Sequence, residues 1–243
     1  MEVCNMESMS SSINNTIEED TIVRKSFAYY LVKRTFDFLS SLILGIVILI
    51  PVMIISIIIP IKDFGSPFYR QKRVGKGGKP LYIYKFRSMR NGSDNLLSSL
   101  SPEQLEIYKR EYKLDDDPRL IGYQKTGDGF RCFGAILRNT SLDELPQILI
   151  NICILGNMSV VGPRPILDSE LRENYTPEEK RLLLSAKPGL TGYWQAYARN
   201  DVGYENHGRQ DMELYYVKNQ SVWLDIKILF KTVEAVLTKR GAK

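Results

Sequence analysis

Apolar and polar positions divide this chain into stretches of very different character. Met1 to Thr21 is polar, rich in Ser and Asn, and acidic towards its end, which predicts a disordered tail over residues 1–23. It is not a signal peptide, because no apolar core follows a basic start within it. Phe38–Ile61 is a run of 24 residues without a charge. That is enough helix to cross a hydrocarbon core of roughly 30 Å, and Ile, Leu and Val all round do not suit a soluble helix. Leu81–Met89 alternates and is aromatic-rich, predicting a strand with Lys85 and Arg87 on one face and Tyr84 and Phe86 on the other. Leu145, Ile148, Leu149, Ile152 and Leu155 recur at helical spacing. Trp223, Ile226, Phe230, Val233 and Leu237 line one face of a last amphipathic helix. That helix packs on the core or lies in a membrane interface with Trp223 at the headgroups.

The flanks of the apolar run refine its reading. Lys33 and Arg34 precede it, and Lys62, Arg70, Lys72, Arg73 and Lys76 follow. A single span normally gathers Lys and Arg on one side only. Pro51, just past the middle, removes a helical hydrogen bond and clashes with the carbonyl of Val47. Basic flanks on both sides of a central proline suit a helix that enters one leaflet, breaks at Pro51 and returns over residues 24–62. A kinked spanning helix is the alternative. Residues 63–243 would then form one cytosolic domain, with a polar, flexible insertion at about 92–131.

With 243 residues and 27.9 kDa, the chain can build one good core plus appendages. A net charge of +5 and a pI near 9.0 point to an anionic partner such as a membrane surface or nucleotide. The uncharged apolar run and the mixed charge elsewhere argue against a nucleic-acid binder. Cys4, Cys132 and Cys153 have neither metal nor disulfide spacing, as in a reducing compartment. His207 is the single histidine, which excludes two-histidine metal sites and disfavours a Ser-His triad.

The chemistry centres on Arg138-Asn139-Thr140-Ser141-Leu142-Asp143-Glu144-Leu145-Pro146-Gln147. Asp143 as N-cap would place Pro146 in the first helical turn, where its missing N–H costs nothing. Ser141 as N-cap would instead make Ser141-x-x-Glu144 a capping box. Either start sets the carboxylates among unpaired amides, and a purely capping role is the plain alternative to a chemical one. Further on, Pro163 and Pro165 hold Arg164 extended, which aims a permanently charged, planar guanidinium suited to phosphate. Pro188 to Gln195 reads as a tight loop, with Arg199 in the polar segment behind it. Asp115-Asp116-Asp117 is a candidate metal cluster or, more simply, a helix stop.

Lys33-Arg34-x-Phe36-Asp37, Tyr84-Lys85-Phe86-Arg87-Ser88-Met89, Asp117-Pro118-Arg119, Ser141 to Gln147, Gly162-Pro163-Arg164-Pro165 and Pro188-Gly189-x-Thr191-Gly192 occur in this order. Together, over about Lys33 to Lys231, they resemble the bacterial sugar transferases, the monotopic polyprenyl-phosphate phosphoglycosyl transferases. The resemblance implies an α/β, mostly helical fold: a re-entrant membrane hairpin, a small cytosolic catalytic domain with a short sheet, and amphipathic interfacial helices. It implies transfer of a sugar 1-phosphate from a UDP-sugar to undecaprenyl phosphate at the bacterial inner membrane, with Mg²⁺ as cofactor. Asp143 would be the nucleophile and Glu144 its partner and metal ligand. Arg138, Arg164, Lys85, Arg87, Arg199 and Gln147 would bind substrate. Partners would be the donor, the lipid acceptor and the bilayer, with no nucleic acid and a homo-oligomer left open. Ile50 stands where some members carry Ser before the central proline, and no residue names the sugar.

Overall fold

The computed structural model describes residues 25–93, 100–111, 114, 117–126, 129–198 and 207–237. The expected disordered tail, Arg199, Asp115 and Asp116 lie outside them. The architecture is mostly helical with three two-stranded sheets among the described residues. Two compact units divide the chain: residues 25–40, 72–82 and 155–237 in one, residues 41–71 and 83–154 in the other.

One helix, Phe27–Lys62, supplies the first residues of the first unit and then enters the second. At 36 residues it is about 54 Å long. Pro51 does not interrupt it, and here the expected break differs from the structure. One proline costs one bond of a long ladder, and apolar helices absorb such losses. Asp37, Ser41, Gly45, Ile48, Ile55 and Ile59 form its buried stripe, three or four residues apart apart from one double step. Ile43, Leu44, Ile46, Val47, Ile50, Ile54 and Ile57 are exposed. By length and composition this helix is long and apolar enough to cross a membrane.

In the first unit, Lys33 and Asp37 anchor the start of that helix. Lys33 Nζ donates to Asp225 Oδ2 at 2.6 Å and to the Val161 carbonyl at 2.9 Å. The buried Asp37 carboxylate accepts from Ser159 Oγ and from the Val160 N–H. Ser159–Val161 pairs in parallel with Gly189–Thr191, so the segment read as a tight loop is in part a strand. Gly189 is required there: a β-carbon would lie 2.1 Å from the Gly162 nitrogen. The core joins Val161, Ile166, Leu183, Tyr216, Val217 and Ile228. Pro177–Leu183 starts in a capping box of Thr176 and Glu179. The Val222–Leu237 helix packs through Ile228, with Leu224 and Leu229, leaving Trp223, Phe230 and Val233 exposed. Of the two roles foreseen for this helix, packing on the core is seen, through a face other than the one that carries Trp223, Phe230 and Val233.

In the second unit, Ile55 and Ile59 of the long helix bury against Phe86, Ile121 and Leu137. The hairpin strands Phe68–Val74 and Pro80–Phe86 run through both units, and the second strand brings Lys85 and Phe86 here. The segment 92–131 holds a helix, Pro102–Glu111, and an antiparallel pair, Gln124–Thr126 with Gly129–Arg131. It is not all polar cover, because Leu120 and Ile121 are core residues. Asp117 closes a buried two-pronged pair on Arg119, 2.9 and 2.8 Å, which ties that carboxylate to structure.

Candidate active site

The site is built where helix Phe133–Asn139 ends. Gly134 lets that helix approach closely, since a β-carbon would meet the Ser88 carbonyl at 2.2 Å. One turn later Arg138 Nε donates to Ser88 Oγ at 3.2 Å. The chain then turns through Ser141, whose φ of 56° is left-handed, a costly conformation for a residue with a β-carbon. Leu142–Glu144 follows as a 3₁₀ turn, Leu145–Gln147 as an α-helical turn, and Ile148–Ile154 as a π-helix.

Neither cap reading of the sequence matches this geometry. Ser141 precedes the 3₁₀ turn without a side-chain cap bond, and Glu144 precedes the α-helical turn likewise. Asp143 sits inside the 3₁₀ turn, not at a cap position. Pro146 does fall in the first helical turn, as the proline rule requires. The regular α-helix expected beyond it is π-wound, and Leu155 is exposed. Single π turns are a recurring feature beside functional residues.

Lys85 supplies the nearby positive charge. Its Nζ lies 2.6 Å from Glu144 Oε1 and 4.0 Å from Asp143 Oδ2. Buried Asn151 sets this register, its Oδ1 accepting from the N–H of Tyr84 at 3.0 Å. Nothing in the sequence marked Asn151 except a polar residue within an apolar run. Burial raises the Asp143 pKa from 3.8 to about 6, with Lys85 and Arg138 pulling it down and Glu144 pushing it up. The side chain of Asp143 is 13 % exposed and that of Glu144 34 %. The pair therefore joins a poorly solvated carboxylate, able to exchange its proton near neutrality, to a better hydrated one held by a cation.

The other expected residues are placed differently. Arg87 is buried and bound to the Asp63 carboxylate and carbonyl and, at 2.7 Å, to the Ser66 carbonyl. Its fork is filled by the loop after the long helix. Gln147 is buried beneath the dyad turn. Arg164 belongs to the first unit, where its N–H donates to Glu213 Oε2 at 3.0 Å and its guanidinium lies 5.9 Å from the Trp194 ring centre. Glu213 and Trp194 were not legible as partners, being distant in sequence. Glu213 is fully buried, and desolvation raises its pKa to about 7.

The donor set also bears on a metal. No group of three or more His, Cys, Asp or Glu side chains occurs among the described residues. Asp143 and Glu144 alone fit Mg²⁺, which commonly takes one or two carboxylates and completes its shell with water and substrate phosphate.

A family model described as bacterial sugar transferase matches residues 28–239. The chain belongs to that family. It is 41% identical over 213 residues to the UDP-galactose-lipid carrier transferase of Erwinia amylovora. It is 42% identical over 213 residues to the undecaprenyl-phosphate galactose phosphotransferase of Salmonella typhimurium. Each alignment covers 86% of this chain and 41% of the relative, so the chain spans under half the length of both. The exopolysaccharide production protein ExoY of Sinorhizobium fredii is 39% identical over 86% of this chain and 87% of its own length. In this bacterial sugar transferase, then, the adjacent carboxylates, Lys85 and Arg138 form one cluster of the second unit.

Proposed function

We propose that this bacterial sugar transferase moves a sugar 1-phosphate from a UDP-sugar to undecaprenyl phosphate and releases UMP. It would act as the first membrane step of capsule, exopolysaccharide or O-antigen assembly. The observation that carries the reading is the pair Asp143–Glu144, held in a strained turn beside Lys85 without serving the helix as side-chain caps. An Asp143 oxygen attacks the β-phosphorus, the bond from that phosphorus to the bridging oxygen breaks, and UMP leaves with the electron pair. An oxygen of the polyprenyl phosphate then attacks the same phosphorus and frees the Asp143 carboxylate. Lys85 and Arg138 neutralise phosphate charge during both displacements. Glu144, with the donor diphosphate, would hold Mg²⁺, which supplies charge neutralisation on the leaving group. The undecaprenyl acceptor is supported by the names of the Salmonella relative and of an Aeromonas hydrophila relative 31% identical over 88% of this chain.

The membrane arrangement belongs to the same proposal. Each unit holds its own end of the long helix: Lys33 and Asp37 bind Asp225 and Ser159, and Ile55 and Ile59 join the core around Phe86. With the helix continuous through Pro51, its exposed apolar positions from Ile43 to Ile57 would face the lipid, and Trp223, Phe230 and Val233 would lie at the interface on the cytoplasmic face of the inner membrane.

A donor-only reaction tests the chemistry. UDP-sugars with Mg²⁺ and no acceptor should release UMP in an amount matching the enzyme, because the first half-reaction needs no lipid. Full activity with acceptor but no such burst would assign Asp143 to a ternary-complex route instead.

A further inference from the structure

A group of cations outside the cluster around Asp143 and Glu144 gathers in the first unit. Lys187, ahead of the Gly189–Thr191 strand, donates from Nζ to the Gly156 carbonyl at 2.9 Å. Arg34 reaches the same residue from the long helix: a β-carbon on Gly156 would lie 2.3 Å from Arg34 Nη2. Gly156 has φ +60°, so glycine serves there both the turn and the approach of the guanidinium. Lys76, in the hairpin loop, places Nζ 4.8 Å above the centre of the Tyr30 ring. Tyr30 and Arg34 are four residues apart on one helix, hence on one face.

Three chain segments thus bring positive charge to one place. Burial lowers the Lys187 pKa, and Arg34 lowers it further, followed after Asp37 by Lys76 and Lys33. Asp37 opposes them, but its oxygens already accept from Ser159 and Val160. An anion among these groups would relieve the repulsion. Position indicates its source. Arg34 lies one turn before Phe38, where the charge-free run of the helix begins, with exposed apolar positions on both sides of it, Leu31 and Val32 before and Phe36 and Phe38 after. Basic and aromatic side chains at the start of an apolar helix occupy the level of lipid headgroups.

We propose that Arg34, Lys187 and Lys76 form a binding site for the phosphate of a membrane lipid. A phosphodiester headgroup and the monoester of a polyprenyl phosphate present the same oxygens, and the site takes that shared chemistry.

Native mass spectrometry of the full chain in detergent tests this without reading catalysis, so its outcome is separate from that of the transferase reading. The wild type should retain one phosphatidylglycerol at least tenfold more tightly than diacylglycerol with the same acyl chains. The double variant Arg34→Gln, Lys187→Gln should lose that preference. Lys76→Gln, which alters only an exposed side chain, should reduce it about threefold, and it serves should the double variant fail to fold. Displacement of phosphatidylglycerol by undecaprenyl phosphate would identify the acceptor as the occupant, and resistance to it a resident phospholipid. No preference in the wild type, or full preference in either folded variant, overturns the site.

Discussion

The molecule contains two lysine–carboxylate pairs of equal length and opposite character. Lys33 and Asp225 meet at 2.6 Å with side chains 12 % and 5 % exposed. Lys85 and Glu144 also meet at 2.6 Å, but they are 23 % and 34 % exposed. Around the first pair Tyr216 Oη donates to Asp225 Oδ1 at 2.8 Å, Lys33 also donates to the Val161 carbonyl, and the neighbouring carboxylate Asp37 is itself held by Ser159 and Val160. Around the second pair stands another carboxylate, Asp143, 4.0 Å from the same lysine. The first cluster closes on itself and fixes the start of the long helix. The second holds a poorly solvated carboxylate beside a lysine that is bonded to its neighbour, which suits a nucleophile. A lysine–carboxylate distance alone does not separate architecture from chemistry; what surrounds it does.

The sharpest way to break this comparison is to remove one carboxylate from each cluster. Asp143→Asn should abolish the UMP burst and reduce turnover at least about a thousandfold, near 4 kcal/mol, with folding intact. Asp225→Ala should do the reverse. It deprives Lys33 and the Tyr216 hydroxyl of their acceptor, so we expect a loss of about 3 kcal/mol in stability with turnover per folded molecule retained. Circular dichroism melts beside the UMP assay check both. Equal effects of the two variants on activity would erase the distinction.

Much of this contrast could be read before any coordinates. The Asp143–Glu144 pair, Pro146 in a first turn and the apolar run with Pro51 are local patterns, and local rules found them. Asn151, inside the π-wound segment after Gln147, meets the backbone of Tyr84, 67 residues earlier. Arg87 resembled a phosphate ligand because its charge is visible in sequence and its contact with Asp63 is not. The two roles left open for the last helix could not be separated for a similar reason: Asp225 and Ile228 face inward, drawn by Lys33 and the core. Tertiary pairing decided each of these cases, and pattern alone does not contain it.

Lys85 sharpens the comparison within the second cluster. Lys85→Gln should lower turnover about a hundredfold by removing charge from the phosphate path. It should also move the acidic limb of the rate–pH profile upward, because Lys85 lowers the Asp143 pKa. A hundredfold loss without that movement would mean Lys85 touches substrate but not the nucleophile.

Arg164 probes the same question in the first unit. Its backbone N–H is fixed by Glu213, so Arg164→Lys leaves that anchor and removes only the planar fork. We expect kcat/KM to fall about tenfold, near 1.4 kcal/mol. Parent-like kinetics would assign the Pro163-Arg164-Pro165 segment to architecture.

The smallest effect concerns stability and pH. Burial holds the Asp143 pKa near 6 in the fold, against 3.8 for the ordinary carboxylate. Below the lower value both states are protonated, and the group leaves stability unchanged. As pH rises from about 4 to 6, the unfolded chain releases this proton first, so the fold loses stability through that window and regains none above it. Asp143→Asn has no proton to lose. In Mg²⁺-free buffer its apparent Tm should therefore match the wild type near pH 4 and exceed it by a few degrees at pH 8. Such a crossover would show a carboxylate kept at a cost to the fold, as expected of a reacting group. A variant less stable than the parent at pH 8 would place Asp143 with Asp225, among the residues that hold the molecule together.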